Sequence, residues 1–400
     1  MADRALDWYL KQAANRPINR RGFLAFAGLS GSAAFLAACG GGTSSAPSTA
    51  PSTAPSGEPS AAPSVAPSVA DIGTAIYIYN WSDYIADANI AEFKRRYGVT
   101  DFVYDTYANN EELIAKLQGG ASGYDIAAPT AEYVPGMVEE GFLEKLDLTR
   151  LPNVQYIDSK FKNLWWDPTN EYQVPKDFGT TGILYRGKLL SRPPTSWQDF
   201  YDFTKGEASG KTVVVDSMGD VFVFPLKLRG YSLNSVDQAE LEDARQILLD
   251  IAPHILALDS DLYQDKLASE EASQVLGWTG PLLGLQAVPE TADAAYSVPS
   301  EGTLFWMDTW VMIKDAPHMD AAYAWLDFIQ EPAIQAAETE FNYYATCNDE
   351  AKKLVSREVL DNPAVFPSEE TFAKLEGAED TSGNNQRLDI WEEFKSKIGG

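Results

Sequence analysis

The sequence predicts an α/β fold built from two lobes. Strand-like and helix-like patterns alternate along residues 71–400, and this alternation is typical of sheets that are covered by helices. This part of the chain is about 330 residues long, a length that suggests two domains rather than one. We therefore expect two sheets, each with its own helices.

The first block of the chain predicts three strands and two helices. Residues Ala75–Tyr79 form a continuous β-prone run, as expected for a strand buried on both faces. Apolar residues at helical spacing, closed by Gly98, predict a helix that starts at Asp87. The other predicted elements are a strand at Val99–Tyr104, a helix at Glu111–Gln118 and a strand at Tyr124–Ala128. This order predicts parallel pairing of the strands.

A second block of alternating patterns follows residue 210. Ser235 and Gln238 match a capping box, which predicts a helix that continues to Ile251. The other predicted elements are strands at Lys211–Val215, Gln274–Trp278, Ala294–Val298 and Thr309–Ile313, and helices at Val221–Leu228 and Met319–Gln330. The second block therefore predicts a second α/β unit.

The N-terminal segment has the pattern of an export signal. Asn19–Leu24 contains adjacent arginines followed by an apolar stretch, Phe23–Ala38, that is shorter than the about 20 residues a membrane-spanning helix needs. Leu36–Cys39 resembles the lipobox of bacterial lipoproteins, which implies cleavage before Cys39 and acylation of that residue. We predict a twin-arginine signal at 1–38 and a disordered Pro/Ser/Ala tether at 39–71.

The net charge of the chain is −27, and the first 70 residues hold only five of its 31 basic and three of its 58 acidic residues. A domain this acidic repels nucleic acid and attracts cations. With Cys39 acylated, only Cys347 remains, so no disulfide framework is expected. The charge argues against a nucleic-acid partner and is compatible with a cationic one, but by itself it favours an ordinary solvated acidic surface, which is common in secreted proteins. Together with the export signal it fits an extracytoplasmic protein.

Sequence signatures of enzymes are missing. The chain has no Gly-rich phosphate loop, no nucleophile elbow, no Cys/His metal spacing and only two histidines, His254 and His318. Paired acids such as Asp216 and Asp220 suit general acid–base chemistry, but acids are also common where a strand leads into a helix. We expect no enzyme activity, no cofactor and no metal.

Aromatic residues and carboxylates recur together where predicted strands end. They occur in the segments Asn80–Tyr84, Pro129–Tyr133 and Asp216–Asp220, at Trp278, and in Phe305–Trp310. Ligands of open α/β sheets bind at such strand ends. Aromatic faces attract ammonium groups and cover alkyl chains, and carboxylates accept charge-assisted hydrogen bonds from amines. This combination suits a flexible aliphatic polycation.

At these residues the sequence resembles the spermidine/putrescine-binding proteins of bacterial polyamine ABC importers. The resemblance is carried by Tyr77–Tyr84 (YIYNWSDY), Ser122–Val134, Leu304–Asp308 (LFWMD) and the stretch from Tyr343. It implies a type II periplasmic-binding-protein fold, an α/β fold with the ligand cleft between two lobes. Lobe 1 would contain 72–178 and 303–350, and lobe 2 would contain 179–302 and 351–400. Hinge crossings are expected near 178–179, 302–303 and 347–352.

The resemblance also implies a set of ligand-binding residues. They are Trp81, Ser82, Asp83, Tyr84, Thr130, Glu132, Ser217, Asp220, Trp278, Trp306, Asp308 and Tyr344. Asp308 matches an amine-binding carboxylate of the family. The chain departs from the family at Glu132, which replaces an aromatic residue, and at Ser217, which replaces an acid, while Asp220 keeps one.

The implied function is capture of a polyamine by a monomeric, lipid-anchored protein that delivers it to the transmembrane subunits of an ABC permease. Two alternatives stay open. A ferric-ion binder on the same fold would use oxygen ligands such as those of Tyr343–Tyr344. A surface hydrolase would use a pair of carboxylates.

Overall fold

The computed structural model describes residues 71–121, 123–381 and 383–399. The predicted export signal, the predicted lipidation site Cys39 and nearly all of the predicted tether lie outside these residues. No helix in the described ranges combines the length and the apolar character that crossing a bilayer requires.

The strands are numbered in chain order. They are β1 (Ala75–Trp81), β2 (Asp101–Tyr107), β3 (Ile126–Ala127), β4 (Gln173–Thr180), β5 (Gly182–Arg186), β6 (Thr212–Val214), β7 (Ile255–Leu258), β8 (Gln274–Gly277), β9 (Ala294–Ser297), β10 (Leu304–Met312), β11 (Ala345–Thr346) and β12 (Glu376–Gly377).

The helices surround these strands. They are α1 (Asp87–Tyr97), α2 (Asn110–Gln118), α3 (Val134–Glu139), α4 (Trp197–Lys205), α5 (Met218–Leu228), α6 (Gln238–Ile251), α7 (Tyr263–Ala268), α8 (Leu282–Gln286), α9 (Met319–Phe328), α10 (Pro332–Asn342), α11 (Asp349–Lys352), α12 (Arg357–Leu360), α13 (Glu369–Phe372) and α14 (Asn385–Lys395). Short 3-10 turns connect several of them.

The strands form two mixed sheets. Lobe 1 has a seven-stranded sheet in the order β11-β4-β10-β3-β1-β2, with β12 paired to β10, and lobe 2 has a five-stranded sheet in the order β7-β6-β8-β5-β9. β1 pairs in parallel with β2 and β3, as predicted. In contrast, β10 is antiparallel to both β3 and β4. β10 is antiparallel to β4 because β4 leads the chain out of lobe 1 and β10 leads it back.

Each lobe has its own apolar core. In lobe 1 the indoles of Trp310 and Trp325 are completely buried, and in lobe 2 Trp197 is packed with Phe200 and Phe224. Burial of side chains of this size is the main favourable contribution to folding. The two cores explain why one chain forms two lobes.

The chain passes between the two sheets at Thr181, between β4 and β5, and again in the segment 298–303, between β9 and β10. The boundary expected at residue 351 is wrong. Ala351, Val355 and Val359 are buried in the core of lobe 1, because α11 and α12 pack on it. The chain joins the core of lobe 2 with α14, whose Trp391 and Phe394 are buried there.

Two local predictions also need correction. The N-cap of α6 is Asp237, which accepts hydrogen bonds from the amides of Ala239 and Glu240, and Ser235 instead donates to the Glu240 side chain. Strand β10 begins at Leu304 and not at Thr309. Trp306 and Asp308 therefore lie within a strand rather than beyond the end of one.

Candidate functional site

The hydroxyl of Tyr84 lies between two carboxylates at the centre of the candidate site. Tyr84 follows β1, while Asp177 and Asp308 lie directly opposite each other on β4 and β10. The Tyr84 oxygen is 2.6 Å from Oδ2 of Asp308 and also contacts Oδ1 of Asp177. All three side chains are buried. The antiparallel register of two strands that are distant in sequence creates this cluster.

The two close oxygen contacts of Tyr84 need one proton more than its hydroxyl carries. The hydroxyl of Tyr84 carries one proton, so it donates to only one of the two carboxylates, and the other close oxygen pair requires a second proton. Burial and the charge of Asp177 raise the pKa of Asp308 to about 7, which supplies that proton near neutral pH. Burial and both carboxylates raise the pKa of Tyr84 as well.

Asp177 is already paired with a lysine. Nζ of Lys176 is 2.6 Å from Oδ2 of Asp177, and the two side chains are 1% and 4% exposed. The amide of Asn342 donates to the same carboxylate oxygen at 2.9 Å. Asp177 is therefore fully engaged by protein groups, whereas no lysine or arginine of the described residues forms an ion pair with Asp308.

Thr130 contacts Asp308 through both its backbone and its side chain. It pairs with Asp308 in an isolated antiparallel bridge, and its side chain donates a hydrogen bond that lowers the pKa of Asp308. Asn110 fixes Thr130 by donating from Nδ2 to its hydroxyl at 2.8 Å and by accepting from its backbone amide at 3.0 Å. The Thr130 hydroxyl is thus oriented before any ligand arrives.

Aromatic rings from both lobes meet beside these acids. Trp81 of lobe 1 donates from Nε1 to the carbonyl of Ala128 at 2.9 Å, and its ring centroid is 6.2 Å from that of Trp278 in lobe 2. The ring of Tyr344 lies 5.7 Å from Tyr84 and 4.9 Å from Trp306. We call these five rings the aromatic enclosure, and their role in ligand binding stays a prediction.

Asp220 marks the side of the site that lobe 2 provides. Its carboxylate accepts hydrogen bonds from Thr181, from Nε1 of Trp278 at 3.0 Å and from the Ser217 hydroxyl at 2.6 Å. Ser217 is also the N-cap of α5, and this cap starts the helix three residues before its predicted beginning at Val221. Burial raises the pKa of Asp220.

Glu132 is a further acid of this region. It is partly buried, and its pKa is raised to about 8, first by burial and then by the charges of Asp308, Asp220 and Asp380. Among residues 71–399 that the structure describes, no lysine or arginine forms an ion pair with Glu132, Asp220 or Asp308. When ionised, these acids therefore repel one another, and no cation of the described residues forms an ion pair with them.

Two predicted residues lie apart from this cluster. Ser82 and Asp83 form an exposed turn after β1, in which Asp83 has a positive φ of 53°. The Ser82 hydroxyl donates to Oδ1 of Asp261 in lobe 2 at 2.8 Å. The turn thus connects the lobes at the rim of the site, and the structure does not bring its side chains to Asp308.

Three residues of this region, Asp177, Lys176 and Thr181, were not predicted from the sequence. A signal was present, since Lys176 and Asp177 are adjacent charges inside the otherwise uncharged run from Val174 to Gly182. Charged residues in a fully buried strand require partners. The pairing of this strand with β10 was not predicted, so no partner was assigned.

The ferric-ion alternative requires the hydroxyls of Tyr343 and Tyr344 to lie at one site. Tyr344 faces the cluster and contacts Tyr84 and Trp306. Tyr343 adopts a positive φ of 58° and packs on the core of lobe 1, with Glu340 and Glu358 near its hydroxyl. The two adjacent hydroxyls therefore do not converge on one point.

Gly179 makes room for the Trp306 ring. A Cβ atom at this position would overlap with ring carbons of Trp306. We expect Gly179→Ala to lower the free energy of unfolding by about 1–3 kcal/mol, the usual cost of overpacking. Gly377→Ala is the matched control, because a Cβ atom there meets no atom within 4 Å. Denaturant unfolding of both variants measures the difference, and equal stabilities would contradict the prediction.

Comparisons with known proteins place the chain in a family. Residues 88–367 match the model of the bacterial extracellular solute-binding proteins. The chain is 34% identical over 317 residues to a putrescine/agmatine-binding protein of Pseudomonas aeruginosa, covering 76% of this chain and 86% of the relative. It is 30% identical over 331 residues to the spermidine/putrescine-binding periplasmic protein of Escherichia coli, covering 82% and 92%.

A solved structure agrees with this relationship. A putative spermidine/putrescine ABC transporter protein of Listeria monocytogenes superimposes with a TM-score of 0.74 at 28% identity, covering 81% of this chain and 99% of that one. The expected type II periplasmic-binding-protein fold is therefore confirmed. The chain belongs to the family of bacterial extracellular solute-binding proteins.

Proposed function

We propose that this protein binds an aliphatic polyamine between its two lobes and delivers it to the permease of an ABC transporter. The observation that carries the proposal is the cluster of Glu132, Asp220 and Asp308, which lacks an ion-pairing lysine or arginine among the described residues. A di- or triamine supplies the missing positive charges at separated points along one chain.

The aromatic enclosure supports the same ligand class. Trp278 donates to the Asp220 carboxylate, and the Tyr84 hydroxyl contacts Asp177 and Asp308. Trp81 packs against Trp278, and Tyr344 packs against both Tyr84 and Trp306. Methylene groups lose water-exposed area between such rings, and ammonium groups are attracted to their faces. The names of the relatives, which mention putrescine, spermidine and agmatine, point to the same chemistry.

The position of the site supports a mechanism of hinge closure. The hydroxyl of Tyr296 donates to the carbonyl of Thr180 at 2.7 Å, and Thr303 donates to the carbonyl of Thr181, so the two crossing segments are held together. A ligand that contacts Asp308 in lobe 1 and Asp220 in lobe 2 favours the closed arrangement, because both contacts form only when the lobes approach.

The experiment that tests this function is a thermal-shift and calorimetry screen of the purified protein. Putrescine, agmatine, spermidine and spermine are compared with Fe³⁺ and with 1-butanol, which has an alkyl chain and no charge. A ligand that binds only the folded state raises its melting temperature. We expect shifts from the amines alone, and a shift from Fe³⁺ with none from any amine would contradict the proposal. Recovery of unmodified amine after binding distinguishes capture from turnover.

We also propose that the protein is exported by the twin-arginine route and anchored through Cys39. We expect Cys39→Ser to be exported but released from the membrane fraction, because the acylation site is lost. Fractionation of cells that express each form measures the distribution. Cys347→Ser is the control, since that thiol is buried in the folded domain. A Cys39→Ser protein that stays in the membrane fraction would contradict the anchor.

A further inference from the structure

Lobe 1 already contains an ammonium group that is bound much as a ligand amine would be. Nζ of Lys176 is 2.6 Å from Oδ2 of Asp177 and 3.3 Å from the centroid of the Tyr84 ring, and it lies 5.7 Å from the Trp310 ring centroid. A carboxylate and two aromatic rings thus hold a primary ammonium at the end of an alkyl chain. The side chain is 1% exposed, so it is part of the interior of lobe 1.

A strand irregularity puts Lys176 in this position. In the pairing of β4 with β10, Asp308 is opposite Asp177 and the next residue, Thr309, is opposite Pro175. Lys176 is the extra residue of a β-bulge, and bulges redirect side chains near functional sites. This explains how Lys176 contacts the side chain of its neighbour, although adjacent residues of a regular strand point to opposite faces.

The charges around Tyr84 depend on this lysine. Asp177 and Asp308 share the Tyr84 hydroxyl, and the buried acid Glu338 is close enough for its pKa to be affected by both Lys176 and Asp177. Lys176 is the only cation that pairs with these acids within the described part of the chain. It compensates Asp177, while Asp308 has hydrogen-bond partners but no ion-pairing lysine or arginine among the described residues.

We propose that Lys176 is a specificity-determining residue that limits lobe 1 to one ammonium group of the ligand. The inference rests on the proposed function, since it concerns which amine the same site accepts. Without Lys176, lobe 1 would carry one more uncompensated negative charge beside the site. A ligand with an additional positive charge would then bind more tightly relative to one without it. Without the charge of Asp177, the positive charge of Lys176 would be uncompensated, and a ligand with fewer positive charges would be preferred.

The test compares putrescine, with two charges, and spermidine, with three. Calorimetry at pH 8 measures the ratio of their affinities in the wild type and in three variants. We expect Lys176→Met to raise the preference for spermidine at least tenfold and Asp177→Asn to lower it at least tenfold. In the double variant both charges are gone, so the ratio should return to within threefold of the wild type. Met is chosen because it is unbranched and similar in length.

Lys314→Met controls for the total charge of the protein. Lys314 pairs with Glu144 on the surface of lobe 1, with 48% of its side chain exposed, so its loss should leave the ratio unchanged. A purely structural role of Lys176 would weaken both ligands equally, and a constant ratio in the variants overturns the inference. If Lys176→Met fails to fold, Asp177→Asn and the double variant still test the inference, because only Asp177→Asn should lower the preference for spermidine and the double variant should restore the wild-type ratio.

The same measurements separate this inference from the proposed function. Wild-type protein that binds none of putrescine, agmatine, spermidine and spermine refutes the proposed function and the inference with it. Wild-type protein that binds both, with one ratio in every variant, refutes only the role of Lys176.

Discussion

Asp308→Asn is expected to weaken the binding of every polyamine that the protein accepts by about 2–5 kcal/mol, the cost of truncating a buried charge pair. Asp308 lacks an ion-pairing cation in the described structure, and it is enclosed by Tyr84, Thr130 and Asp177. An ammonium group at this position would therefore lose its charged partner. Isothermal calorimetry with the amine that gives the largest thermal shift measures the effect.

The same substitution should not harm the ligand-free protein. An asparagine keeps the shape of the side chain and removes the repulsion between Asp308 and Asp177, so the melting temperature should stay the same or rise. Asp320→Asn is the control, because this acid pairs with Arg150 on the surface and is 67% exposed. Asp308→Asn protein with an affinity within threefold of the wild type would show that Asp308 does not bind the ligand. A lower melting temperature with weaker binding would indicate a structural role instead.

The second large effect is a dependence of stability and binding on pH. The pKa of Asp308 is raised to about 7 and that of Glu132 to about 8, mainly by burial. Both groups hold their protons more tightly in the folded than in the unfolded protein, whose acids titrate near pH 4. The folded state therefore binds more protons between about pH 4 and 8, and the free energy of unfolding decreases as the pH rises through this range.

Ligand binding should have the opposite dependence. An ammonium group stabilises the ionised carboxylates, so its binding displaces their protons. We expect the affinity for putrescine to fall at least tenfold from pH 8 to pH 6, while the ligand-free protein gains stability over the same interval. Melting curves and calorimetry in two buffers of different ionisation enthalpy give both quantities and the number of protons released.

Asp308→Asn serves as the internal control for this titration. It removes one of the two groups, so the pH dependence of binding should become weaker and centre on Glu132. In Glu132→Gln, the remaining pH dependence of the affinity should come from Asp308 and centre near pH 7. Affinity that is constant from pH 6 to pH 8 in the wild type would show that neither acid contacts the ligand.

Several features of this protein were determined by local sequence. The alternation of β-prone runs and amphipathic segments predicted β1, α1 and the parallel pairing of the first strands, because side-chain periodicity is a local property. Aromatic residues next to acids predicted the site, and the structure brings Trp278 to Asp220 and Tyr84 to Asp308, with Trp81, Tyr344 and Trp306 packed against these rings or each other. The resemblance to polyamine-binding proteins rested on these same residues.

Only the tertiary structure decided how the charges of the site are paired. Asp177 meets Asp308 through the register of β4 with β10, strands separated by more than a hundred residues, and a bulge turns Lys176 toward its neighbour. Likewise, α12 packs on lobe 1, although the expected boundary at residue 351 placed it in lobe 2. Register and packing partner depend on contacts between distant segments, and no local pattern of side chains contains them.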